Sequence, residues 1–285
     1  MDIKRLRKII QYGDCHKEEM EEKIRSFCSF AGISNDKELL NIMQIVRLSF
    51  QKKGYLIIEL PFCDQEIGAL CYKGDALGYI VLNTSLPKVN VNFALCHELY
   101  HVLYQKTDFR TKVEFANDDY YTHEEEVAAN LFAGMLLMPT SGFRFMFQKF
   151  HAESENNERD TVFRLMNYYQ VPYMAVLVRC FELELLEESD ISKMLLEISA
   201  DDIKNGFSRL WLDESILNPS YRDDYDKLEY MVKRYGEECM EGAYLNERTL
   251  KKVLQNMKRL YYQPKGIIFI TQEDSEIPPS PYLII

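Results

Sequence analysis

The sequence predicts an α+β fold, mostly helical, with one small three-stranded sheet in its first third. Three observations predict it. Apolar residues recur at helical spacing along most of the chain. Ahead of the tail, the period drops to that of strands only between residues 55 and 83. Two helical segments beyond the strands, near residues 90–105 and 124–138, carry His, Glu and Asn at positions that share a helix face.

Residues 1–11 form a short basic amphipathic segment, whose Lys4, Arg5, Arg7 and Lys8 read as a solvated face. Helices follow over 17–31 and 36–52, and Gly54 closes the second. Strands are expected at 55–60, 67–72 and 78–83, with Lys73-Gly74-Asp75 turning between the last two. The helix at 90–105 is followed by a loop over 106–121 and by a helix that stops at Pro139. Residues 152–160, AESENNERD, read as an exposed polar linker. Helices at 161–170 and 173–185 flank Val171-Pro172 in the manner of a helix-turn-helix. Further helices are expected at 190–197, 199–213, 221–236 and 246–262, the last capped by Asn246. The tail has a strand-like run at 266–270 and ends in PPSPYLII. The resulting organisation is a core over 1–185, a helical accessory region over 186–262 and a strand-bearing tail over 263–285.

Composition narrows the function. With 47% hydrophobic residues in 285, a sizeable core can be buried. A net charge of −11 argues against nonspecific nucleic-acid binding, which relies on Lys and Arg neutralising phosphates. In the helix-turn-helix pair, Arg179 is the only cation on the second helix, and Glu182, Glu184, Glu187 and Glu188 follow it. Direct DNA binding is therefore disfavoured against packing. The 7 cysteines are scattered, odd in number and without CxxC pairs, which fits a reducing cytoplasm better than a disulfide scaffold. No run approaches the ~20 apolar residues of a membrane span.

Residues 97–101 read His-Glu-Leu-Tyr-His. Four residues apart on a helix, His97 and His101 aim two imidazoles at one point, as two ligands of a catalytic zinc. Glu98 lies on the neighbouring flank, where a carboxylate can take a proton from water. Such a zinc needs a third protein ligand and an open position. The segment EEEVAANLFAGMLLM, 124–138, offers one. Glu126 and Asn130 share a face, so Asn130 can orient His97 or His101. Glu124 and Glu125 suit a solvated helix N-terminus. Small Ala128, Ala129, Ala133 and Gly134 allow close helix approach, and Cys96 reads as packing. An electrophile for the developing oxyanion is also needed. Candidates are Tyr104, Tyr120, Tyr121 and His123, among which the sequence does not choose.

The stretch LNTSLPKVNVNFALCHELYH (Leu82 to His101), then EVAANLFAGMLLMP (Glu126 to Pro139), resembles the ImmA/IrrE metallopeptidase family. There an HExxH helix precedes an ExxAN-x-FA-x-x-LLMP helix, and the resemblance spans roughly residues 20–185. It implies a zincin-like core with one zinc per chain. By position, His97, His101 and Glu126 match the ligands and Glu98 the catalytic glutamate. Tyr100 stands where the family often has Gly, a departure not read as loss of activity. The resemblance further implies a cytoplasmic endopeptidase that cleaves a partner helix-turn-helix repressor, relieving repression of a mobile element, a toxin–antitoxin pair or a stress response. The rival reading is a non-proteolytic, zinc-containing regulator that docks a protein or, less readily, binds DNA. The base at Glu98 has no use in that rival.

Overall fold

The computed structural model describes residues 3–33, 41–62, 64–65, 67–73, 78–105, 121–186 and 195–262. The expected turn at 73–75, most of the loop at 106–121, most of the helix at 190–197 and the tail from 263 lie outside them. The fold is α+β, mostly helical, with the expected small sheet.

The N-terminus is one continuous helix, α1 (Ile3–Ala31), where the sequence predicted two separate segments. Gly13, at the expected break, is buried; a Cβ there would lie 3.4 Å from Glu182 Oε1 and 3.7 Å from Leu131. This glycine serves close packing and does not end the helix. Helix α2 (Ile42–Lys52) follows, and Gly54 at φ 79° turns the chain into the sheet.

Strands β1 (Tyr55–Leu60), β2 (Ala69–Lys73) and β3 (Gly78–Asn83) are ordered β1-β3-β2. β1 runs parallel to β3 in the register Tyr55↔Gly78 to Leu60↔Asn83, and β2 pairs antiparallel with β3. A Cβ on Gly78 would fall 2.4 Å from the Tyr55 ring, so only glycine admits that pair. At the end of β3, buried Asn83 is a polar hub. Its Oδ1 accepts from the Phe62 and Ser85 amides at 3.0 Å, and its Nδ2 donates to the Asp64 and Ile67 carbonyls. With both ends satisfied, it pins the connection that launches the next helix.

Among the described residues, six α-helices follow the sheet up to residue 209: α3 (Lys88–Tyr104), α4 (Tyr121–Leu137), α5 (Thr140–Glu153), α6 (Glu158–Tyr169), α7 (Tyr173–Glu182) and α8 (Ala200–Arg209). Helix α5 has no counterpart in the sequence reading. The expected linker at 152–160 contracts to a turn at 154–157, because Asn157 caps α6 and Asp160 is buried under a paired Arg209 guanidinium. Helix α7 is buried along most of its length, and Arg179 is 4% exposed. Its guanidinium donates to the Met138 carbonyl, Thr140 Oγ1 and Glu182. The cation that a DNA contact would need is thus an internal tie between α4, α5 and α7.

The chain beyond residue 195 packs on the same core, to which Leu195, Ile203, Phe207, Ile216 and Leu217 contribute. A 3₁₀ turn (Glu214–Leu217) lies against α3, and Pro219 bridges to Pro87 just before it. The Asp224 amide donates to the Glu59 carbonyl at 2.8 Å, so this segment also covers one end of β1. Helices α9 (Tyr225–Glu241) and α10 (Glu247–Tyr262) form the last hairpin, with Asn246 capping α10 through the Thr249 amide.

Candidate metal centre

Pro87, fixed in φ, starts α3 and cannot continue a helix backwards. One side of α3 is buried through Val89, Phe93, Cys96 and Leu99. Cys96 is wholly enclosed, and burial pushes its thiol far above the usual range, so it is a packing residue. Helix α4 packs against α3, and its Ala128, Ala129 and Ala133 are buried. Gly134 plays no part in that approach; a Cβ there would meet nothing within 4 Å.

This packing brings His97, His101 and Glu126 together, with one ligand atom from each lying within 4.8 Å of the others. The two Nε2 atoms are 3.0 Å apart. Glu126 Oε2 is 3.0 Å from His97 Nε2, and Oε1 is 3.4 Å from His101 Nε2. Each Nδ1 lies on a side-chain amide oxygen: Asn130 Oδ1 at 2.9 Å for His97 and Gln105 Oε1 at 2.7 Å for His101. An amide oxygen only accepts, so each Nδ1 carries the proton and each Nε2 keeps a lone pair. Three acceptors then face one another without a donor among them. That arrangement calls for a cation, and two imidazoles with a carboxylate form a donor set that suits zinc.

Burial and the neighbouring charges shift the two imidazoles in opposite directions. Burial works to lower the His97 pKa, but contact with Glu126 and the charges of Glu98 and Glu126 outweigh it, and the net direction is up. Burial, then the neighbouring His97, lowers His101 to about 4. Burial raises Glu98 to about 7, with Glu126 adding to the shift and His97 opposing it. Half-buried Glu98 is thus a carboxyl group tuned towards neutrality beside the cluster.

The remaining sequence candidates fare differently. Asn130 is hydrogen-bonded to His97. The Tyr104 hydroxyl donates to the Lys23 carbonyl at 2.5 Å, and its ring packs on Tyr100 and Phe132. Tyr104 therefore ties α3 to α1 in this structure. Tyr120 and the side chains of Tyr121 and His123 lie outside the described residues. Tyr100 is buried, with Lys23 Nζ 3.0 Å from its hydroxyl and 4.8 Å from its ring centroid. The large side chain at this position thus fills the junction of α1, α3 and α4. Gln105 escaped the sequence reading, although its spacing of four from His101 was the available signal.

Residues 50–181 match the family model of the IrrE N-terminal-like domain, peptidase M78. A search of the curated proteins finds no match. The family supports a metallopeptidase-like role for this part of the chain. Among the described residues, no helix is long and apolar enough to cross a membrane.

Proposed function

We propose that this chain, whose residues 50–181 match the IrrE N-terminal-like family model of M78 peptidases, is a zinc-dependent endopeptidase whose substrate is a partner protein. The observation that carries this reading is the cluster of three lone-pair donors, His97 Nε2, His101 Nε2 and the Glu126 carboxylate, beside a half-buried glutamate. His97, His101 and Glu126 would hold one zinc. A zinc ion there supplies Lewis acidity, polarising the scissile carbonyl and making water a better nucleophile.

The chain's own residues do the rest. Asn130 and Gln105 keep both imidazoles turned with Nε2 inward. Glu98 accepts a proton from the attacking water and delivers it to the leaving amine. Its burial, which favours the protonated form, suits a group that must both take and give a proton. The substrate we propose is a helix-turn-helix repressor, whose cleavage relieves repression of a mobile element, a toxin–antitoxin pair or a stress response. This rests on the ImmA/IrrE resemblance. Burial of α7 and of Arg179 supports a protein substrate over direct DNA contact. The cytoplasm is the compartment we propose, in keeping with Cys15, Cys96, Cys180 and Cys239 being free thiols.

Glu98→Gln tests the reading. The amide is nearly isosteric but cannot take the proton, so zinc content should be unchanged while single-turnover cleavage of a helix-turn-helix repressor encoded beside this chain falls about 10²–10⁴-fold. Wild-type rates from this variant would remove Glu98 from the chemistry. A wild-type protein that holds zinc yet cuts no candidate repressor would favour the docking regulator.

A further inference from the structure

The Glu125 carboxylate lies 2.5 Å from Gln105 Nε2, and Gln105 Oε1 lies 2.7 Å from His101 Nδ1. We infer that Gln105 and Glu125 are positioning residues, a two-link tether that selects the tautomer in which His101 can bind metal. The inference rests on the zinc reading above and extends it to residues that reading does not use.

The argument runs from the far end of the chain of bonds. An ionised carboxylate has no proton to donate, so the Gln105 group facing Glu125 must be the amide NH₂. The amide oxygen then faces His101. An oxygen there requires a proton on Nδ1, which leaves the lone pair on Nε2, the nitrogen aimed at His97 and Glu126. Removing Glu125 takes away the acceptor that fixes which end of the amide faces His101, and the two ends are nearly the same size. An NH₂ facing Nδ1 would draw the lone pair to that nitrogen and place the proton on Nε2, inside the metal site. Gln105 is held for this task from behind. It is the C-terminal cap of α3, and its backbone amide donates to the His101 carbonyl at 3.2 Å.

The tether also sets where the ligands stand. His97 is bound to α4 through Asn130, and His101 is bound to α4 through Gln105 and Glu125. Helix α4 contributes Glu126 itself. One helix therefore registers all three ligands. Glu125 is half-buried, so its place is this contact and not the freely solvated face that the sequence implied.

The test is zinc affinity of the full-length protein, measured by competition with a chromophoric chelator, alongside the melting temperature of the metal-free form. Gln105→Ala and Glu125→Ala should each weaken zinc binding about 10–100-fold while the metal-free melting temperature stays put. Gln105→Glu alone should also weaken it, since two carboxylates then oppose each other. Adding Glu125→Gln to Gln105→Glu should recover most of the wild-type affinity, because a carboxylate now accepts from Nδ1 and an amide supports that carboxylate. This recovery supports the tether even if the alanine variants lose stability, since a merely structural role gives no reason for it. Wild-type affinity in both alanine variants, or no recovery in the swapped pair, overturns the tether while the zinc reading stands. Failure of wild-type protein to take up zinc, or full zinc content after His101→Ala, overturns the zinc reading and the tether with it.

Discussion

Asn130 Oδ1 accepts a hydrogen bond from His97 Nδ1 at 2.9 Å, across the contact between α3 and α4. The bond keeps the proton on the outer nitrogen and the ring in one orientation, which is what a metal-binding imidazole needs from its neighbour. Asn130→Ala should therefore lower zinc affinity or turnover about 10–100-fold. Asn130→Asp should retain more of it, because a carboxylate accepts from Nδ1 as well as an amide oxygen does. Chelator competition measures both, and equal affinity in wild type and Asn130→Ala would make Asn130 a packing residue.

Loss of a ligand should be more severe than loss of its support. His97→Ala and Glu126→Ala each remove one of three donors, and purified protein should then carry far less than one zinc per chain by metal analysis. Zinc undiminished in both variants would point to a different ligand set.

Much of this site was legible because its spacings are local. His97 and His101 are one helical turn apart, as are Glu126 and Asn130, so each pair could be placed on a face without knowing the fold. The link between Gln105 and Glu125 was not legible. Residues from either side of the 106–120 segment meet there, and only the packing of α3 on α4 joins them. The partner of Tyr104 was not legible for the same reason, since the Lys23 carbonyl it binds is eighty-one positions away. The strands at 55–60 and 78–83 were read to the residue, because apolar runs bounded by Gly and Pro have few other solutions. The apparent linker at 152–160 misled because its polarity hides Asp160, which is buried only once Arg209 arrives from α8.

Arg179 distinguishes a structural from a nucleic-acid role for α7. Arg179→Met would strip the Met138 carbonyl of a donor and leave Glu182 buried beside an apolar chain. Breaking a buried pair on one side is destabilising by about 3–5 kcal/mol, readable as a lower denaturation midpoint. A variant as stable as wild type would show that the tie between α4, α5 and α7 carries little. A salt-dependent loss of DNA binding without loss of stability would restore the helix-turn-helix reading.

Helix α8 lies far along the chain from the metal ligands, yet its seat on the core is tight at one point. A Cβ on Gly206 would fall 2.2 Å from Phe163 Cε2 and 2.5 Å from Cδ2. Phe163 is 1% exposed and itself packs against Tyr173 and Phe207, so its ring has little room to yield. Gly206→Ala must push α8 off α6 or tilt that ring, and overpacking of this kind is destabilising by about 1–3 kcal/mol. The higher intrinsic helix propensity of Ala offsets this by at most about 1 kcal/mol. Chemical denaturation of the metal-free protein should show a net loss of stability, while zinc affinity of the folded protein stays at the wild-type level. An unchanged or raised midpoint would mean that α8 rides on the core with slack, and that residues 200–209 can shift without disturbing the catalytic half.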